Sequence, residues 1–96
     1  MMLEGNPGWM SDFLEEMGLP ANAAFQGYVL YHRQSDSFVA DAPDPSIPHY
    51  VKPCAWAHRY PYIMLARDAA MDMEDGMQVQ VQVLFRLGGQ FLAYPI

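Results

Sequence analysis

The stretch QVQVQVLFRLGGQFLAYPI, residues 78–96, decides the fold. Val79, Val81, Val83 and Phe85 alternate with Gln78, Gln80 and Gln82, the period of two that marks a β-strand with one buried face. Gly88-Gly89 follows, and both positions tolerate the positive φ of a two-residue hairpin turn. That turn fixes the register: Leu87 faces Gln90, Phe85 faces Leu92, Val83 faces Tyr94 and Val81 faces Ile96. These pairs share a face and make a continuous apolar wall. The opposite face is polar at Gln78, Gln80 and Gln82 and apolar at Leu84, Phe91 and Ala93.

A wall of this kind needs helices or a second sheet to cover it, and the preceding sequence supplies both helices and strands. Residues 7–17 read as a helix. Asn6 is placed to be its N-cap and Pro7 its first residue. Trp9, Phe13 and Met17 recur at helical spacing with Met10 and Leu14 beside them. Gly18 is placed as the left-handed cap, and Leu19-Pro20 ends the run. Phe25 to Arg33 is rich in aromatic and aliphatic residues and reads as a strand. Gln34 to Ser37 is turn chemistry, and Phe38-Val39-Ala40 returns as the second arm of a hairpin.

Residues 41–61 form a long connection with Pro43, Pro45, Pro48, Pro53 and Pro61 and the aromatics Tyr50, Trp56 and Tyr60. Tyr50-Val51 fits an edge strand, and Trp56 and Tyr60 fit a short helical turn. A second helix is expected over 62–75, with Ile63, Ala66, Ala70 and Met73 inward and Gly76 as its stop. The order α-β-β-α-β-β predicts one small α+β domain over residues 1–96, an antiparallel sheet of about four strands with two helices. The helix 62–75 is expected on the valine wall. The helix 7–17 is expected at the Leu84/Phe91 end or at the sheet edge.

Composition narrows function. The chain has 96 residues, 52% hydrophobic and 17% charged, a balance that excludes disorder for its bulk. A net charge of −6 argues against direct nucleic-acid binding, which requires a basic face. A single cysteine, Cys54, excludes an internal disulfide. No basic-then-apolar leader and no apolar run near the ~20 residues of a membrane span is present, so a cytoplasmic setting is expected.

The residues offer little catalytic chemistry. His49, Cys54 and His58, spaced His-x4-Cys-x3-His with His32 as a fourth donor, include legitimate zinc ligands, but the spacing matches no standard zinc signature. Cys54 beside a histidine is also the pairing of a thiol nucleophile. A small apolar filler and two surface histidines explain the same residues. A metal- or thiol-dependent site at His49/Cys54/His58 stands as the alternative, with no cofactor expected otherwise. Asp72-Met-Glu-Asp-Gly lacks the spacing of a calcium loop.

The acidic residues concentrate on the two helices: Asp12, Glu15 and Glu16 on the first, Asp68, Asp72, Glu74 and Asp75 on the second. Glu15 and Glu16 sit near the negative end of their helix dipole, so their charge opposes local stability. With Trp56 and Tyr60, residue types common in interface hot spots, these carboxylates are the expected partner-binding residues. The expected function is non-enzymatic: occupation of a protein partner's basic surface, with rows of carboxylates imitating phosphates. A homodimer through Leu84, Phe91 and Ala93 is the structural alternative. The size and acidity, the hairpin from Tyr28 to Ala40, the helix with Ala69-Ala70 and the strand ending Leu92-Ala93-Tyr94-Pro95 resemble small acidic proteins of phages and mobile elements, including anti-CRISPR inhibitors. The resemblance implies a partner class such as a CRISPR effector complex and no particular functional residue.

Overall fold

The computed structural model describes residues 8–20, 22–40, 49–73 and 78–96. The elements are α1 (Met10–Glu16), β1 (Ala24–His32), β2 (Ser37–Ala40), β3 (His49–Val51), a 3-10 turn (Cys54–Trp56), α2 (Ile63–Met71), β4 (Val79–Leu87) and β5 (Gln90–Pro95). The α+β class holds, with five strands where about four were expected. The added strand is β3, the edge segment around Tyr50-Val51. The sheet is antiparallel throughout, in the order β3-β2-β1-β4-β5.

The register dictated by Gly88-Gly89 is observed. Leu87 pairs with Gln90, Phe85 with Leu92 and Val83 with Tyr94, and Gly88 adopts φ +61°. The ladder ends at Gln82 and Pro95, so the expected Val81–Ile96 pair does not form. Central burial falls on the adjoining strands β1 and β4, where Val29, Leu30, Val83, Leu84 and Phe85 are fully buried.

Alternation sends these residues to two faces. Leu30, Val83 and Phe85 share a cluster with Met10 and Leu14 of α1 and with Ala66 and Ala70 of α2. The two alanines let α2 lie close on the sheet. Both helices therefore cover the valine wall, and α1 is not on the Leu84/Phe91 face: Phe13 stacks on Phe85 at 5.7 Å between ring centroids and meets Tyr94 edge-on. The opposite face is covered by the chain itself. Ala57 and Cys54 pack on Val29 and Leu84, with Phe38, Phe91 and Ala93 around them.

Helix boundaries are shorter than the sequence suggests. The expected cap Asn6 and first residue Pro7 lie outside the described residues, and α1 begins after Trp9. Its end follows expectation: Gly18 at φ +70° lets Gly18 N–H bond Glu15 O and Leu19 N–H bond Leu14 O, the paired bonds of a Schellman cap. The inward stripe is shifted. Met10 and Leu14 are buried, Phe13 is half-buried, and Trp9 and Met17 are 38% and 43% exposed. A seven-residue helix seats on the sheet through one short seam, and the neighbouring row stands clear of it. In α2 the described helix ends at Met71 with Asp72 as its cap; the expected continuation through Glu74 and Asp75 lies outside the described residues.

Between β3 and α2 the chain crosses from one face of the sheet to the other. It does so beside β1, beyond the short β2. Tyr60 and Tyr28 exchange both backbone hydrogen bonds at 2.8 Å, and His58 N–H bonds Val39 O. Opposite Tyr60, β1 carries a bulge between Phe25 and Gly27. Gly27 has φ +116°, and a Cβ there would lie 2.9 Å from the Tyr60 carbonyl oxygen. Both conditions demand glycine. Gly27→Ala is expected to cost about 2–3 kcal/mol, read as a lower urea midpoint with unchanged slope.

Candidate functional site

The expected site residues divide between the two sides of the sheet. On the helix side, Asp12, Glu15 and Glu16 are exposed on α1, and Asp68 and Asp72 are exposed along α2. Glu74 and Asp75 lie outside the described residues. On the far side, Trp56 stands 71% exposed at the end of the 3-10 turn. Tyr60, at the point where the chain changes face, is half-buried against the helix-side core, tied to Tyr28 through its backbone and edge-on to the His58 ring at 4.5 Å. The carboxylates and Trp56 therefore do not form one patch, because the sheet lies between them.

The carboxylates of α2 are not a pure acidic row. Met64 and Met71 are 69% and 82% exposed, and Leu65 is exposed with them, interleaved with Arg67, Asp68 and Asp72. Inward spacing is satisfied by Ala66 and Ala70, which leaves the large apolar residues of this helix outward. The sequence signal was present, since Met64, Asp68 and Met71 themselves fall at helical spacing.

A second apolar feature is an open groove of about 510 Å3 between α1, the start of α2 and the end of β5. Trp9, Phe13 and Met17 form one wall, the row left clear by the shifted stripe. Ile63, Pro95 and Ile96 face them, Tyr28 lies at the base, and Glu16 is the one charged residue of the lining. The rings are mutually braced: Trp9 meets Phe13 edge-on at 5.5 Å and lies 6.4 Å from Tyr28.

His49, Cys54 and His58 are not gathered into a metal site; among the described residues no group of three His, Cys, Asp or Glu converges in that way. His49 is exposed at the start of the edge strand β3. The Cys54 thiol donates to Phe91 O at 3.4 Å inside the far-side cluster. Arg59 lies over the Phe91 ring at 5.0 Å and reaches Gln26 Oε1 and Ala55 O. Cys54, Ala57 and Arg59 thus cover part of the Leu84/Phe91/Ala93 patch that motivated a homodimer: Leu84 is buried, while Phe91 and Ala93 stay half-buried.

Sequence reading also missed a polar clasp at the first hairpin turn. His32 Nδ1 lies 2.7 Å from Ser35 Oγ and accepts from Ser35 N–H, so the imidazole closes a three-residue turn. Ser35 Oγ contacts Ser37 Oγ, and Lys52 Nζ donates to Ser35 O and Asp36 O, pinning β3 to the turn.

Comparison of the chain with protein families, with curated proteins and with solved structures finds no match. Among the described residues, no helix is long and apolar enough to cross a membrane.

Burial pushes the Cys54 thiol up from its ordinary value, against a smaller opposing effect of Arg59. Its alkylation by iodoacetamide at pH 8 is expected to be slower than that of the urea-unfolded chain, with a rate midpoint above that of a free thiol; an equal or faster rate would restore the nucleophile reading. Burial likewise raises the Tyr28 hydroxyl above 10.0. A folded-state pKa above the unfolded one gives stability that is full below the unfolded pKa and is lost as pH rises through the folded value. The urea midpoint is therefore expected to fall as pH rises past 10, and less steeply in Tyr28→Phe.

Proposed function

We propose that this chain is a non-enzymatic binding protein that acts by occupying the basic surface of a protein partner. The observation that carries this reading is the outward face of α2, where Met64, Leu65 and Met71 stand exposed among Asp68 and Asp72. Exposed large aliphatic groups on a short helix gain nothing for the fold. Against a partner they supply apolar contact, and methionine adapts its shape to irregular surfaces. The flanking carboxylates steer a basic surface into register and disfavour acidic competitors. Asp12, Glu15 and Glu16 extend the same sign of charge along the helical layer.

A partner that is basic because it binds nucleic acid fits this face well, since carboxylates placed on its phosphate subsites would exclude the nucleic acid. CRISPR effector complexes belong to that class. Trp56, exposed on the far side, would serve as a second contact in a larger assembly, with Tyr60 packed at the crossing point between the two faces.

Affinity capture from the native host, followed by binding measurements on the captured protein, tests this directly. Replacing Asp68, Asp72 and Asp75 by Lys is expected to slow association about tenfold at low salt and to flatten its salt dependence. Met64→Ser with Met71→Ser is expected to speed dissociation instead. Binding that survives both sets of changes would remove this face from the function.

A further inference from the structure

We propose that the groove between α1, α2 and β5 seats a basic side chain of the partner, a lysine or arginine flanked by aliphatic residues. The proposal rests on the protein-binding reading above and assigns it a second, chemically distinct contact. The volume of about 510 Å3 suits a side chain with part of its neighbours rather than a helix or a sheet edge. The walls are matched to the two halves of such a side chain. Met17 and Ile63 offer aliphatic contact to its stem, and Glu16 offers the one charge in the lining to its head.

The aromatic rings strengthen the same preference. Three of the lining residues, Trp9, Phe13 and Tyr28, are aromatic; Phe13 has one face stacked on Phe85, Trp9 is 38% exposed, and rings of this kind attract a cation and offer no counterion to an anion. Trp9 is held by its ring contacts to Phe13 and Tyr28, so a ligand meets a wall already in place. The surrounding field has the same sign, with Asp12 and Glu15 on the same helix and a net charge of −6 on the chain. An apolar body with a positive end satisfies every part of the lining; a neutral body leaves Glu16 unused, and an anionic one opposes it.

The test uses the full chain with Trp56→Phe, an exposed position, so that fluorescence reports Trp9 alone. The probes are three capped tripeptides, leucine-lysine-leucine, leucine-norleucine-leucine and leucine-glutamate-leucine. The lysine peptide is expected to bind about threefold more tightly than the norleucine peptide, with the glutamate peptide weakest. Glu16→Gln is expected to erase the lysine advantage and Glu15→Gln to preserve it. Equal affinity for all three peptides, or a lysine advantage that survives Glu16→Gln, overturns the proposal. So does tighter binding of free hexylamine than of the lysine peptide, which would make a small amphiphile the occupant. Self-association in sedimentation that Trp9→Ser abolishes would make a second copy the occupant, with the same consequence. If the peptides show no lysine preference while host capture still depends on Asp68 and Asp72, the groove proposal falls and the protein-binding reading stands. If the lysine preference holds and no partner is captured, the protein-binding reading falls and the cation selectivity of the groove stands.

Discussion

The meeting of Tyr60 with β1 is the constraint on which the rest of the structure depends. The segment after β3 covers one face of the sheet with Cys54 and Ala57, yet the helix that follows must cover the other. The chain changes face where β2 has stopped, and the two hydrogen bonds between Tyr28 and Tyr60 hold it there. The backbone approach is too close for any side chain at Gly27, and the bulge beside it turns β1 to receive the crossing. Without this contact neither the far-side cover nor the placement of α2 would be fixed.

Two-sided cover changes the meaning of the surface. The apolar residues near the hairpin turn, Leu84, Phe91 and Ala93, read in sequence as one exposed patch, and the folded chain buries Leu84 and half-covers Phe91 and Ala93 with its own Cys54 to Ala57 segment. What remains outward is different in kind. Met64, Leu65 and Met71 project from α2 because Ala66 and Ala70 take its inward positions. Trp9 and Met17 flank a groove because α1 seats through Met10 and Leu14. Both features sit among carboxylates, on the helical layer and away from Trp56.

The hairpin around Gly88-Gly89 was legible because alternation and a glycine turn determine register locally. The cap at Gly18 was legible for the same reason: one positive φ closes two defined hydrogen bonds. The rotation of α1 was not, because Trp9-Phe13-Met17 and Met10-Leu14 are both apolar rows at helical spacing, and only the sheet decides between them. Nor could sequence reveal that Cys54 to Ala57 would cap the far face. That placement depends on the long-range pairing of Tyr60 with Tyr28, for which no periodicity exists. The carboxylates were legible as residues, but their separation from Trp56 by the thickness of the sheet was a property of topology alone.

The β1–β4 pairing also bears on how the chain reaches this state. Tyr28 pairs with Val83 and Leu30 with Val81, partners more than fifty residues apart along the chain. The two hairpins are local and close only short loops at small entropic cost, but each alone leaves its apolar face in water. The most deeply buried contacts are thus the last whose loop entropy can be recovered, which makes folding a cooperative event set by topology rather than by local propensity. A sheet whose centre is its most distant pairing has no stable half.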